Sequence, residues 1–114
     1  MIRIIDETSV LAELCLHIGK AKGITCKSLA TAIRGGSARA SDLRRIRHVI
    51  EALRLEGHHI CAHPSDGYFI AKTDKELNET CNYLVNRAMK SLAQVSRMKR
   101  ISLPDIHGQM RLKV

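Results

Sequence analysis

Tryptophan is absent and only Tyr68, Phe69 and Tyr83 carry aromatic rings, so the chain cannot build a platform that stacks successive unpaired bases. The four cysteines, Cys15, Cys26, Cys61 and Cys81, form no C-x-x-C pair. That spacing excludes a zinc ribbon and a compact disulfide framework, and reduced thiols are expected. No apolar run approaches the roughly 20 residues of a membrane span, and the start of the chain, Met1 to Glu7, lacks the apolar stretch of a signal peptide. A cytoplasmic protein with no membrane partner is expected. There is no G-x-x-x-x-G-K loop, H-E-x-x-H pair or nucleophile elbow, so neither catalysis nor a cofactor is expected.

Positive charge is what the sequence has in excess. Lysine and arginine number 19 against 11 acidic residues, for a net +8 on 114 residues. So large an imbalance on a chain long enough for one domain favours a polyanionic partner, and double-stranded DNA fits best once base stacking is excluded. The charge is also uneven. Residues 23–56 carry a net +4, residues 74–86 a net −2 and residues 87–100 a net +5.

Hydrophobic spacing orders the elements. Val10, Leu11, Leu14, Cys15 and Ile18 predict a first helix capped by Thr8 or Ser9 and stopped by Gly19 or Gly23. Thr25 caps a second helix over 26–33 that ends at Gly35-Gly36. Ser41 opens a third, with Leu43, Ile46, Ile50 and Leu53 as its apolar stripe and Gly57 as its stop. Beyond it the period shortens. His58–Ala62 and Tyr68–Ala71 read as strands joined by the turn residues Pro64, Ser65, Asp66 and Gly67. Thr73 and Glu76 have capping-box spacing before a helix of about 25 residues, hence about 38 Å, marked by Leu77, Cys81, Leu84, Ala88, Leu92 and Val95. Residues 101–114, with Pro104 and Gly108, predict an irregular tail. The expected fold class is therefore α+β, mostly α: three helices, a two-stranded hairpin and a long C-terminal helix.

That order is the order of a winged helix-turn-helix. The segments Gly23-Ile-Thr-Cys-Lys-Ser-Leu-Ala-Thr-Ala-Ile33, Leu53-Arg-Leu-Glu-Gly-His-His-Ile60 and Gly67-Tyr-Phe-Ile-Ala71 resemble the DNA-binding domain of the biotin repressor type, and small phage and bacterial regulators resemble it too. The resemblance covers the first helix through Lys72. It implies a DNA-binding domain over 1–72, followed by a helix at 73–100. The link between the second and third helices, Arg34 to Ser41, is longer than the tight turn of that family. Nothing in the chain resembles the biotin ligase domain, so the resemblance implies no enzymatic activity and no effector.

With the apolar stripe inward, the third helix turns Ser41, Arg44, Arg45 and His48 outward and Arg47 to a flank, where Arg and His can read base edges. Thr25, Lys27 and Ser28 at the second helix's start are suited to a phosphate, although Thr25 can equally serve as a simple cap. Arg34 and Arg39 are candidate phosphate contacts from the connecting loop, and Ser65 and Lys72 are candidate contacts from the hairpin tip. The triplet His59, Cys61 and His63 shares a strand face but lacks standard zinc spacing, and no metal is expected. The long helix exceeds what a small body can bury, so Leu77, Leu84, Leu92 and Val95 are assigned to a homodimer contact. The alternatives are a protein-binding adaptor and a phage replication accessory protein.

Overall fold

The computed structural model describes residues 4–99. The irregular tail expected at 101–114 therefore lies outside the described residues, as does Arg100. Helices α1 (Glu7–Leu14), α2 (Cys26–Arg34) and α3 (Ala40–Leu55) precede an antiparallel hairpin of β1 (Ile60–His63) and β2 (Gly67–Ile70), and α4 (Asp74–Lys99) follows. The fold is α+β and mostly helical. The chain divides into two compact units, residues 1–80 and 81–114, and α4 begins in the first and continues into the second.

The first unit is built around Val10 and Leu14 of α1, Leu29, Ala30 and Ile33 of α2, Ile46, Val49, Ile50 and Leu53 of α3, and Ile60 of β1. Ile5, just before α1, is buried in the same core. The stripe on α3 is shifted from the expected one: Val49 is buried, while Leu43 is only partly buried against the core. Burying Val49 widens the apolar face and brings the neighbouring Arg45 to its edge.

Helix α1 starts and stops earlier than its periodicity predicts. Asp6, rather than Thr8 or Ser9, is the N-cap: its carboxylate accepts the Ser9 N–H at 2.8 Å, and the buried Ser9 hydroxyl accepts the Asp6 N–H at 3.0 Å. The helix ends at Leu14, although Cys15 and Ile18 continue its apolar rows. Beyond that point β2 takes over the backbone groups. Ile70 N–H donates to the His17 carbonyl at 2.9 Å, and Gly19 N–H donates to the Ile70 carbonyl at 2.8 Å. A buried strand edge needs partners, and pairing with it replaces the last helical turn.

The same strand is engaged again after a 3-10 turn at Lys20–Lys22. Ile24 and Tyr68 exchange two backbone hydrogen bonds of 2.7 and 2.8 Å. Two glycines permit this approach. A Cβ on Gly23 would stand 2.0 Å from the Asp66 carbonyl oxygen, and one on Gly67 would stand 2.3 Å from the Ile24 carbonyl oxygen. The hairpin register pairs Ile60 with Ile70 and His63 with Gly67, leaving Pro64, Ser65 and Asp66 as the tip. The expected boundaries are displaced by one or two residues, because the register is fixed by pairing with residues 17–24 as well as by the turn.

Helix α2 follows its sequence signals. Thr25 Oγ1 accepts the Ser28 N–H at 3.1 Å, and Gly35 ends the helix in the left-handed region at φ +80°. At the start of α4, Thr73 Oγ1 accepts the Glu76 N–H at 3.2 Å. The Glu76 carboxylate accepts the backbone N–H groups of Lys72 at 2.8 Å and Lys20 at 3.1 Å, with a weaker backbone hydrogen bond from Thr73, the reciprocal bond of the expected box. The Lys72 and Lys20 bonds, the Lys72 one foremost, hold its pKa below the usual carboxylate value and tie the start of α4 to the loop after α1. No helix among the described residues is long and apolar enough to cross a membrane.

Candidate nucleic-acid interface

The outward side of α3 borders a groove of about 530 Å³ lined by Glu7, Ser41, Arg44, Arg45, His48, Val49 and Ala52. Four candidate residues thus meet along one helix face, where the sequence places them. Their freedom differs. Arg44 is exposed and has no side-chain partner among the described residues, so its guanidinium is available to an incoming acceptor. Arg45 donates from Nε to the Ile5 carbonyl at 2.7 Å, which satisfies a backbone group before α1 and anchors that segment to α3. Its Nε is thus engaged within the fold while the side chain stays exposed.

Arg34 and Arg39 do not stand free in the loop. Asp42, only 5 % exposed, accepts Arg34 Nη1 at 3.0 Å and the Arg39 backbone N–H at 3.0 Å, and Arg39 Nε lies 3.6 Å away. A buried carboxylate requires such partners. The Arg39 N–H is the leading cause that lowers the Asp42 pKa, with the two guanidinium charges adding to it. This arrangement also moves the start of α3. Arg39 is the N-cap and Ala40 the first helical residue, so Ser41 lies inside the first turn rather than capping it. The one legible signal for Asp42 is an acid in the third position of a helix, three residues after Arg39.

Arg47 lies on the flank of α3 beside Tyr68, whose hydroxyl it hydrogen-bonds. Burial is the main cause that raises the Tyr68 pKa, with Cys26 close by. Tyr68 thereby joins α3 to the start of α2 through its ladder with Ile24. Thr25, Lys27 and Ser28 are exposed at that start. The Thr25 hydroxyl is engaged as a cap, so the simple-cap alternative describes its ground state, and Lys27 is the charged group left free.

Of the two hairpin candidates, Ser65 is the one at the tip. Ser65 Oγ lies 2.8 Å from His63 Nδ1, and His63 Nδ1 lies 3.3 Å from Asp66 Oδ2. Lys72 is not at the tip. It lies beyond the other end of β2, packed toward Gly19. The triplet is likewise separated: His59 precedes β1, Cys61 is buried with its Sγ 3.6 Å from the Glu76 carbonyl, and His63 is turned to the tip. Among the described residues no three His, Cys, Asp or Glu side chains converge as metal ligands.

Glu7 is an acidic group on the groove that sequence spacing does not reveal. Its pKa is raised first by a hydrogen bond with Glu56 and then by the repulsion between the two carboxylates. A native pKa above the unfolded value means that ionisation costs stability above the native pKa, and that the cost disappears as pH falls through it. Glu7→Gln is therefore expected to raise the thermal midpoint at neutral pH, with the advantage vanishing in acid. It is also expected to tighten binding of any polyanion in the groove. Melting curves at the two pH values check the first effect, and equal midpoints at neutral pH would count against it.

No protein-family model matches this chain, and no curated protein or solved structure is significantly similar to it.

Proposed function

We propose that the protein is a sequence-specific double-stranded DNA-binding protein of winged helix-turn-helix type, acting as a bacterial or phage transcriptional regulator. The observation that carries this proposal is the unpaired Arg44 beside His48 on the open face of α3, in the +4 segment of the chain. Arg44 supplies the paired donors that suit guanine O6 and N7 in the major groove, and His48 lies one turn further along the same face. Lys27 at the start of α2 and Arg47 beside Tyr68 supply phosphate contacts next to the hairpin, which takes the position of the wing. Arg45, Arg34 and Arg39 act mainly by holding α1 and the α2–α3 link in place. Two copies, joined through α4, read two half-sites.

Binding to duplex DNA is the test. The logarithm of affinity should fall linearly with the logarithm of salt, with a slope between about −3 and −5 for the few phosphates that Lys27, Arg44, Arg47 and their neighbours neutralise. A random-sequence selection should return an enriched duplex motif. No duplex binding at low salt, together with capture of a protein partner on α3, would replace this function with the adaptor alternative.

A further inference from the structure

We propose that Arg47, Arg54 and Tyr68 form a phosphate site on the hairpin flank of α3, and that it takes one backbone phosphate of the duplex. This deepens the DNA-binding reading above, on which it rests, by adding Arg54 and Tyr68 to the interface. Arg47 and Arg54 are seven residues apart on α3, so they share a face and lie about 10.5 Å apart along the axis. Both reach the hairpin. Arg54 donates from Nε to the Ile60 carbonyl of β1 at 2.9 Å, and Arg47 hydrogen-bonds the Tyr68 hydroxyl of β2, on which the Arg54 charge also acts. Tyr68 is fixed in turn by its two backbone hydrogen bonds with Ile24. Three elements of the first unit, α3, β1 and β2, therefore hold one phenol beside two guanidinium groups.

Two observations leave this pair of cations unsatisfied within the fold. The first is the lack of a carboxylate. Among the described residues the arginine–carboxylate ion pairs are those of Arg34 and Arg39 with Asp42. Glu51, which helical spacing places within reach of both Arg47 and Arg54, lies 3.9 Å from His48 Nδ1 instead. The second is that Arg54 Nη2 is shielded from solvent and has no hydrogen-bond acceptor. An unmatched buried donor is costly, and a charge shielded from water is little screened. An anion at the Tyr68 hydroxyl is attracted by both cations and offsets that cost.

The roles divide by access. Arg47 is exposed, and its guanidinium and the Tyr68 hydroxyl can each donate to an oxygen of one phosphate. Burial keeps the phenol protonated, hence a donor, at neutral pH. Arg54 is a positioning residue that acts from behind through its charge, because its Nε is committed to β1 and its Nη2 is closed to solvent. Cys26, the first residue of α2, lies close to the phenol, so the partial positive charge of that helix end adds to the site. Lys27 follows directly. Adjacent phosphates of one strand can thus be met together, which favours a nucleic-acid backbone over a single free ion.

Methylphosphonate scanning of the selected duplex tests the site, because each substitution removes the charge of one phosphate. One position should weaken binding of the unaltered protein by about 5- to 20-fold and cost far less in Arg47→Gln and Tyr68→Phe, which already lack that contact. On the unmodified duplex both variants should bind every sequence about 5- to 20-fold more weakly, with the salt slope shallower by about one in Arg47→Gln and unchanged in Tyr68→Phe. Arg54→Gln should also bind more weakly with a shallower slope and an unchanged base preference, a pattern that a purely structural role would not produce. Duplex binding that Arg47→Gln and Tyr68→Phe leave unchanged, or that contains no phosphate position dependent on them, overturns the site while the DNA-binding reading stands. If no duplex is bound, inorganic phosphate is the second probe, read through the emission of Tyr83→Phe, in which Tyr68 is the sole tyrosine and tryptophan is absent. A response that Arg47→Gln abolishes keeps the phosphate site and overturns the duplex as its source. No response overturns both.

Discussion

Gly67→Ala should destabilise the first unit by at least about 3 kcal/mol. Two costs combine. The backbone at Gly67 has φ +81°, a region that costs an L-residue about 1–2 kcal/mol, and the new Cβ would lie 2.3 Å from the Ile24 carbonyl oxygen and 2.8 Å from the Thr25 nitrogen. The obstacle is backbone, which cannot swing aside as a side chain would. Relief requires the hairpin to separate from residues 23–25, breaking the two Ile24–Tyr68 hydrogen bonds and withdrawing Tyr68 from Arg47. Gly36→Ala is the control, because its Cβ would meet nothing within 4 Å and its φ is not in the left-handed region. That change should be neutral or slightly stabilising through the unfolded chain. Urea denaturation of both variants measures the difference. A Gly67→Ala protein within about 0.5 kcal/mol of the unaltered one would mean that the hairpin is not held against α2 as described.

Arg44→Ala should weaken binding to the preferred duplex by about 1–3 kcal/mol, roughly 5- to 150-fold, and relax the base preference at one position. Lys27→Ala should weaken all sequences alike and make the salt slope shallower by about one. Arg34→Ala separates interface from scaffold. Because Arg34 pairs with the buried Asp42, its removal should lower stability while leaving base preference unchanged in the fraction that remains folded. The Asp42 arrangement also sets a pH dependence. A carboxyl whose native pKa lies below its unfolded value stabilises the fold above the unfolded pKa, and that contribution is lost as pH falls through the native value. Competition binding on a library of duplexes, with denaturation run in parallel, distinguishes these outcomes. An unchanged base preference for Arg44→Ala would mean that the groove face of α3 does not read DNA.

Elements whose ends are fixed by neighbouring residues were legible without a structure. Thr25 and Gly35 bracket α2, the Pro64–Gly67 turn places the hairpin, and Thr73 with the recurring leucines opens α4. Each signal acts within one turn or one tight loop, so composition and spacing are sufficient. The outward placement of Arg44 and His48 was legible for the same reason, since a stripe on one side of a helix fixes the other side.

Tertiary structure alone decided where α1 stops, which arginines are free and how β2 is flanked. The helical rows of α1 extend to Ile18, but β2 offers backbone partners that only the folded chain brings near, and they displace the last turn. Arg34, Arg39, Arg44 and Arg45 are alike in sequence. Asp42 engages the first two and the Ile5 carbonyl engages the last, because a buried acceptor takes the donor that geometry supplies. The sequence by itself determined the elements and their net charge. Competition among distant partners for the same hydrogen bonds determined which charges remained for a ligand.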